Sequence, residues 1–69
     1  MSDPTIRVND DSWPWHAGDH IADVLQRLGV APSDVTTALN GEFVPRGLRT
    51  TTPVQPGDVL TVFKPIVGG

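Results

Sequence analysis

Cysteine is absent from the 69-residue chain. That excludes disulfides, thiolate zinc sites, iron–sulfur clusters and a cysteine nucleophile, and it is compatible with any compartment. Positive charge is scarce. Arg7, Arg27, Arg46, Arg49 and Lys64 are the basic residues, and eight acidic residues bring the net charge to -3. No two of the basic residues sit closer than three positions apart. A nucleic-acid binder needs a clustered basic face, so a phosphate backbone is not the expected partner. No run approaches the ~18 apolar residues of a membrane-crossing helix. The opening Met1-Ser2-Asp3-Pro4-Thr5 has neither a basic stretch nor an apolar stretch, so no signal peptide is read there. The expected location is the cytoplasm, without membrane contact. No Ser–His–Asp spacing, phosphate-cradling glycine loop or carboxylate pair in a suggested cleft is present, so the chain is not expected to be an enzyme.

What is present is one small domain's worth of sequence. A domain of this size buries only about 60% of the surface its unfolded chain exposes, so its stability margin is thin. Glycine and proline number 7 each, rich in turns yet short of low complexity. Thr5-Ile6-Arg7-Val8 alternates polar and apolar, as a half-buried strand does. Asn9-Asp10-Asp11 is turn chemistry, and Ser12 to His16 can return as a second strand. Pro14 removes a ladder donor, which restricts that strand to an edge or a bulge. Ile21, Val24, Leu25 and Leu28 form one apolar stripe on a helix of about residues 20–29. Asp19 is placed to cap its start, Gly29 to end it, and Gln26, Arg27 and Asp23 to face water.

The second half supplies a sheet for that helix. Val35, Thr37 and Leu39 share one strand face, with Thr36 and Ala38 on the other. Asn40-Gly41 is a type I′ hairpin signal, and Glu42-Phe43-Val44 returns before Pro45. Arg46 to Pro53 reads as a polar loop and Pro56-Gly57-Asp58 as a turn. Val59 to Phe63 reads as a central strand because it is β-branched and nearly free of polar residues. Strands with one helix packed on one face make an α+β domain. The expected core is Ile6, Val8, Ile21, Val24, Leu25, Leu28, Val35, Leu39, Val44, Leu60 and Val62.

Beyond Phe63 the sequence continues Lys64-Pro65-Ile66-Val67-Gly68-Gly69. With Ala17-Gly18-Asp19 before the helix, the stretch Ala38 to Arg46 (ALNGEFVPR) and the Pro56-Gly57-Asp58 turn, this segment resembles the ubiquitin-like sulfur carriers of the ThiS/MoaD superfamily, ThiS-like carriers above all. The resemblance covers nearly the whole chain. It implies a β-grasp fold, with a mixed four- to five-stranded sheet and one main helix on one face. It divides the chain into a β-grasp domain, residues 1–64, and a flexible C-terminal tail, residues 65–69. It further implies that a ThiF-type, ubiquitin-activating-like enzyme consumes ATP to adenylate the carboxylate of Gly69. Sulfur from a donor such as a cysteine desulfurase then displaces AMP to leave a thiocarboxylate. A ThiG-type thiazole synthase would be the acceptor. Ile66, Val67 and Gly68 would be the tail, and Gly68 and Gly69 lack a Cβ that would obstruct a narrow active site. No cofactor would be bound. A molybdopterin-type carrier and a ubiquitin-like protein modifier are the alternative readings. Strand Trp13-Pro14-Trp15 departs from the family pattern in its bulk.

A docking surface follows from strand parity. If Leu60 and Val62 face the helix, Thr61 and Phe63 face the opposite side. Ala38 and Phe43 join Phe63 there, and an exposed apolar patch on a small protein marks a protein contact. Arg46 either binds an acidic partner or caps a nearby carboxylate. Trp13 and Trp15 are expected to cover the edge of the core. His16 and His20 read as solvated surface, and Asp10-Asp11 as a turn with too few oxygen ligands for calcium. No metal site is expected.

Overall fold

The computed structural model describes residues 3–64. The alternating Thr5–Val8 segment forms strand β1, with Ile6 and Val8 buried and Thr5 and Arg7 exposed. Asn9 turns the chain at a φ of 55°, and β2 follows at Asp11–Pro14. This strand is shorter than the expected Ser12–His16. The backbone N–H of Trp15 still donates to the Pro4 carbonyl at 3.1 Å, but its indole Nε1 turns inward to the Val54 carbonyl at 2.6 Å. Both tryptophans pack against the core while partly exposed.

Helix α1 spans Ile21–Leu28 and buries Ile21, Val24 and Leu25. Gly29 closes it at a φ of 78°, a left-handed conformation that glycine adopts without Cβ strain. The expected cap at Asp19 is a correction: His20 is the N-cap residue. The Asp23 carboxylate accepts from the His20 N–H at 2.9 Å, the backward half of a capping box. The orphan amides of Ile21 and Ala22 are satisfied at 3.1 Å by the carbonyls of Thr52 and Arg49, from a loop distant in sequence.

Asp19 is instead buried between the chain before α1 and the helix itself. It accepts from the His16 N–H at 3.0 Å and from Arg27 Nη2 at 2.6 Å, so Arg27 is not simply a wet-side residue. Burial pushes the Asp19 pKa up. The hydrogen bonds from Arg27 and His16 and the Arg27 charge more than offset this, and the net pKa lies below the usual value.

After a short 3-10 turn at Pro32–Asp34, β3 runs Thr36–Leu39 and β4 runs Glu42–Val44. Asn40 and Gly41 join them with φ of 52° and 85°, the two positive values a type I′ turn requires. A second 3-10 turn, Arg46–Leu48, precedes β5 at Val59–Phe63. The sheet order is β2-β1-β5-β3-β4. The β1–β5 pair is parallel and the others antiparallel, so β5 is central and β2, with its Pro14, is an edge. A five-stranded mixed sheet with α1 on one face is a β-grasp fold.

The core is Ile6, Val8, Ile21, Val24, Leu25, Val35, Val44, Val54 and Leu60. Leu28, Leu39 and Val62 pack against it while partly exposed. Val54 and Arg49 are additions to the expected set, Arg49 from the segment read as polar loop and Val54 from just beyond it. Arg49 is only 4% exposed. Its guanidinium donates to Thr37 Oγ1 at 3.3 Å, the Pro32 carbonyl at 2.7 Å and the Val35 carbonyl at 2.5 Å. Thr37 Oγ1 in turn donates to the Val44 carbonyl at 3.2 Å. Burial first, then the Arg46 charge, lower the Arg49 pKa. This cross-brace ties the 46–49 corner to the start of β3.

Candidate functional site

One sheet face carries α1, and the other is open. Register and burial define the open face. Leu60 is fully buried under the helix, whereas Val59, Thr61 and Phe63 are exposed. Thr61 pairs with Ala38, which pairs with Phe43, and Phe63 pairs with Thr36. Paired residues share a face, so Phe63, Ala38 and Phe43 come together as the strand parity predicts. Phe63 is 45% and Phe43 66% exposed, and Ala38 between them is half-buried.

Arg46 lies at the corner where β4 ends. Because Thr37 pairs with Val44 and Thr36 with Phe63, that corner is at the same end of the sheet as Phe63. Its Nη2 donates to the Ser33 carbonyl at 3.2 Å. Among the described residues it pairs with no carboxylate. β5 therefore delivers the chain, at Lys64, to the end of the sheet flanked by Phe63 and Arg46. The expected tail residues Ile66, Val67, Gly68 and Gly69 lie outside the described residues.

Two open-face residues were not singled out from sequence. Val59 is 39% exposed. Arg7 pairs with Val59 on one side and with Ser12 on the other. The alternation of Thr5 to Val8 carried the signal for Arg7: with Ile6 and Val8 inward, Arg7 must point outward. Elsewhere, His16 is exposed, and His20 Nδ1 lies 3.6 Å from an Asp23 carboxylate oxygen. Among the described residues no group of three His, Cys, Asp or Glu side chains could hold a metal ion. No helix among them is long and apolar enough to cross a membrane.

The model of the ThiS family matches residues 5–69. The chain belongs to the ThiS family. Its sequence is 31% identical over 64 residues to the sulfur carrier protein ThiS of Escherichia coli (strain K12), covering 93% of this chain and 97% of that protein. The crystal structure of the thiamine biosynthesis protein ThiS from Geobacter metallireducens superposes with a TM-score of 0.77 at 29% identity, covering 94% of this chain and 99% of that one. A solution NMR structure of a thiamine biosynthesis protein from the same organism gives 0.71 at 28% identity, covering 94% and 87%. ThiS proteins are small sulfur carriers of thiamine biosynthesis and are not themselves catalysts, and this chain takes that place as a family member.

Proposed function

We propose that this chain carries sulfur as a thiocarboxylate on Gly69 for formation of the thiazole of thiamine. The observation that carries the reading is that the ThiS family match extends through Val67-Gly68-Gly69 to residue 69. A carboxylate is a poor electrophile, so its oxygen must first be exchanged for a leaving group. A ThiF-type enzyme supplies ATP: a Gly69 carboxylate oxygen attacks the α-phosphorus and pyrophosphate departs. The terminal sulfur of a persulfide, from a donor such as a cysteine desulfurase, then attacks the acyl carbon, and AMP leaves with the bonding pair. A thiol next attacks the outer sulfur of the resulting acyl disulfide, is itself oxidised to a disulfide, and releases the thiocarboxylate. The thiocarboxylate is delivered to a ThiG-type thiazole synthase, and the carrier returns as a free carboxylate. These steps belong to cytoplasmic enzymes.

In this reading residues 1–64 are the body that the partner grips, and 65–69 are the arm that reaches its active site. Five residues span up to about 3.3–3.6 Å each when extended, enough to leave the body. The open sheet face, with Phe63, Ala38 and Phe43 and with Arg46 at its corner, is the docking surface. Its exposed aromatics favour this, since their burial by a partner removes apolar area from water.

Intact-mass spectrometry after incubation with the ThiF-type enzyme, ATP and a sulfur donor tests the chemistry. The chain should gain the mass difference between one sulfur and one oxygen. Deletion of Gly69 should fold normally and gain nothing, because a carbonyl misplaced by even ~1 Å can cost about 100-fold in rate. Full thiocarboxylate formation by the deletion would remove Gly69 from the mechanism. Higher-mass conjugates on a denaturing gel would point instead to a protein modifier.

A further inference from the structure

The charges of this chain are segregated in a way that its net charge conceals. None of its eight Asp and Glu residues occupies an open-face strand position. Only Asp11 and Glu42 lie in strands, and they pair with Val8 and Leu39, on the helix side of the sheet. Among the strand residues of the open face, Arg7 is the only charged one. An acidic protein thus presents a sheet face of apolar and hydroxyl side chains whose strands carry one cation and no acid.

The other arginines are engaged. Arg27 is paired with Asp19, Arg49 is buried among carbonyls, and Arg46 donates to Ser33. Arg7 has no carboxylate partner among the described residues. Its side chain borders a surface hollow of about 260 Å³ shared with Thr5, Ser12, Gly57 and Val59. Ser12 pairs directly with Arg7 across β1 and β2. An arginine paired across the strands with a serine, in a hollow completed by Thr5, Ile6, Gly57 and Val59, suits a carboxylate side chain. Arginine binds carboxylates through a planar fork, and such a pair strengthens once a docked partner excludes water.

We propose that Arg7 is a specificity-determining contact: it pairs with a carboxylate that the ThiF-type adenylating enzyme presents to the open face. The inference rests on the docking reading above and adds the partner's chemistry at one point. A second copy of this chain does not fit as occupant, because a face-to-face dimer would bring Arg7 against a strand surface with no acid. Arginine and aromatic side chains are the residues that dominate binding at interface centres. Here Arg7 supplies orientation and Phe63 and Phe43 supply buried area. A charge pair of this kind acts on recognition of the partner more than on the chemical step.

The test is ATP–pyrophosphate exchange by the cognate ThiF-type enzyme against concentration of the full-length carrier, at low and at high salt. Arg7→Leu should raise the KM for the carrier by about 10- to 100-fold with kcat little changed, and Arg7→Glu should raise it further. Salt should raise the KM of the wild type and leave that of R7L nearly unchanged, since only the former has a charge pair to screen. Gln26→Glu, on the helix, changes net charge by as much as R7L and should behave as wild type. An acid-to-base substitution on the enzyme should restore exchange with R7E. Thermal melts of R7L and R7E should match wild type, since the side chain is exposed. If R7L and R7E keep the wild-type KM and salt response while Phe63→Asp loses exchange, Arg7 is not the determinant and the docking reading survives. If Phe63→Asp is silent as well, the open face is not the docking surface and both fall. An equal rise in KM for Gln26→Glu and R7L would reduce the effect to net charge and overturn the proposal.

Discussion

Replacing Arg49 tests whether the corner between β4 and β5 is held by hydrogen bonds or by packing. Arg49→Ala removes three donors from an almost fully buried position: to Thr37 Oγ1, to the Pro32 carbonyl and to the Val35 carbonyl. Each acceptor left buried without a partner costs about 1–3 kcal/mol. Removing the guanidinium also relieves its own desolvation, so the three do not simply add. The expected loss is about 2–4 kcal/mol, below the sum of three orphaned acceptors. A chain of this length has a total stability of about 3–10 kcal/mol. R49A should therefore lose a large share of its stability and unfold at a much lower urea concentration than wild type. Arg49→Lys keeps a charge and an aliphatic stem but presents one ammonium in place of a fork, so it should recover only part of the loss. Arg49→Met keeps the volume without the donors. Urea denaturation followed by circular dichroism and by tryptophan fluorescence measures all three. The reasoning is refuted if R49A stays within about 0.5 kcal/mol of wild type, the range of ordinary surface substitutions. Equality of R49M with wild type would show that the site needs volume only.

Other expectations follow from the same geometry. Leu25→Ala, at a fully buried position on α1, should cost about 2–5 kcal/mol in denaturant unfolding; a cost of surface size would mean that the helix faces the sheet differently. Asp19 has a folded pKa below its unfolded one, so its stabilisation is fully present above about pH 4 and is lost as the pH falls through the folded value. Asp19→Asn should be less stable at neutral pH and should flatten the acid limb of a melting-temperature profile; an unchanged limb would show that the Arg27 pair contributes nothing. Phe63→Asp should keep the circular dichroism spectrum of wild type yet weaken pyrophosphate exchange, whereas unfolding would assign Phe63 to the core.

Much of this protein was legible because its signals are local. The period of Ile21, Val24, Leu25 and Leu28 sets the helix face, Gly29 ends the helix, and Asn40-Gly41 fixes a hairpin through backbone geometry that few other residues tolerate. Strand alternation alone put Phe63, Ala38 and Phe43 on one surface, because side chains in a strand alternate whatever the strand pairs with. The resemblance carried by ALNGEFVPR and Val67-Gly68-Gly69 supplied the family. Tertiary structure decided the rest. Asp19 looks like a cap in sequence, but Arg27 and the His16 amide claim its carboxylate, and Asp23 bonds the His20 amide in its place. Arg49 read as polar loop, and Val54 just beyond it was given no place in the core, because their segment has no period; the chain there is drawn in by the orphan amides of α1, by the Trp15 indole and by the carbonyls at the start of β3. The parallel pairing of β1 with β5 depends on a crossover through β2, α1, β3 and β4. Burial of a charged or loop residue depends on what the rest of the chain brings to it, and contacts between residues distant in sequence leave no periodic trace.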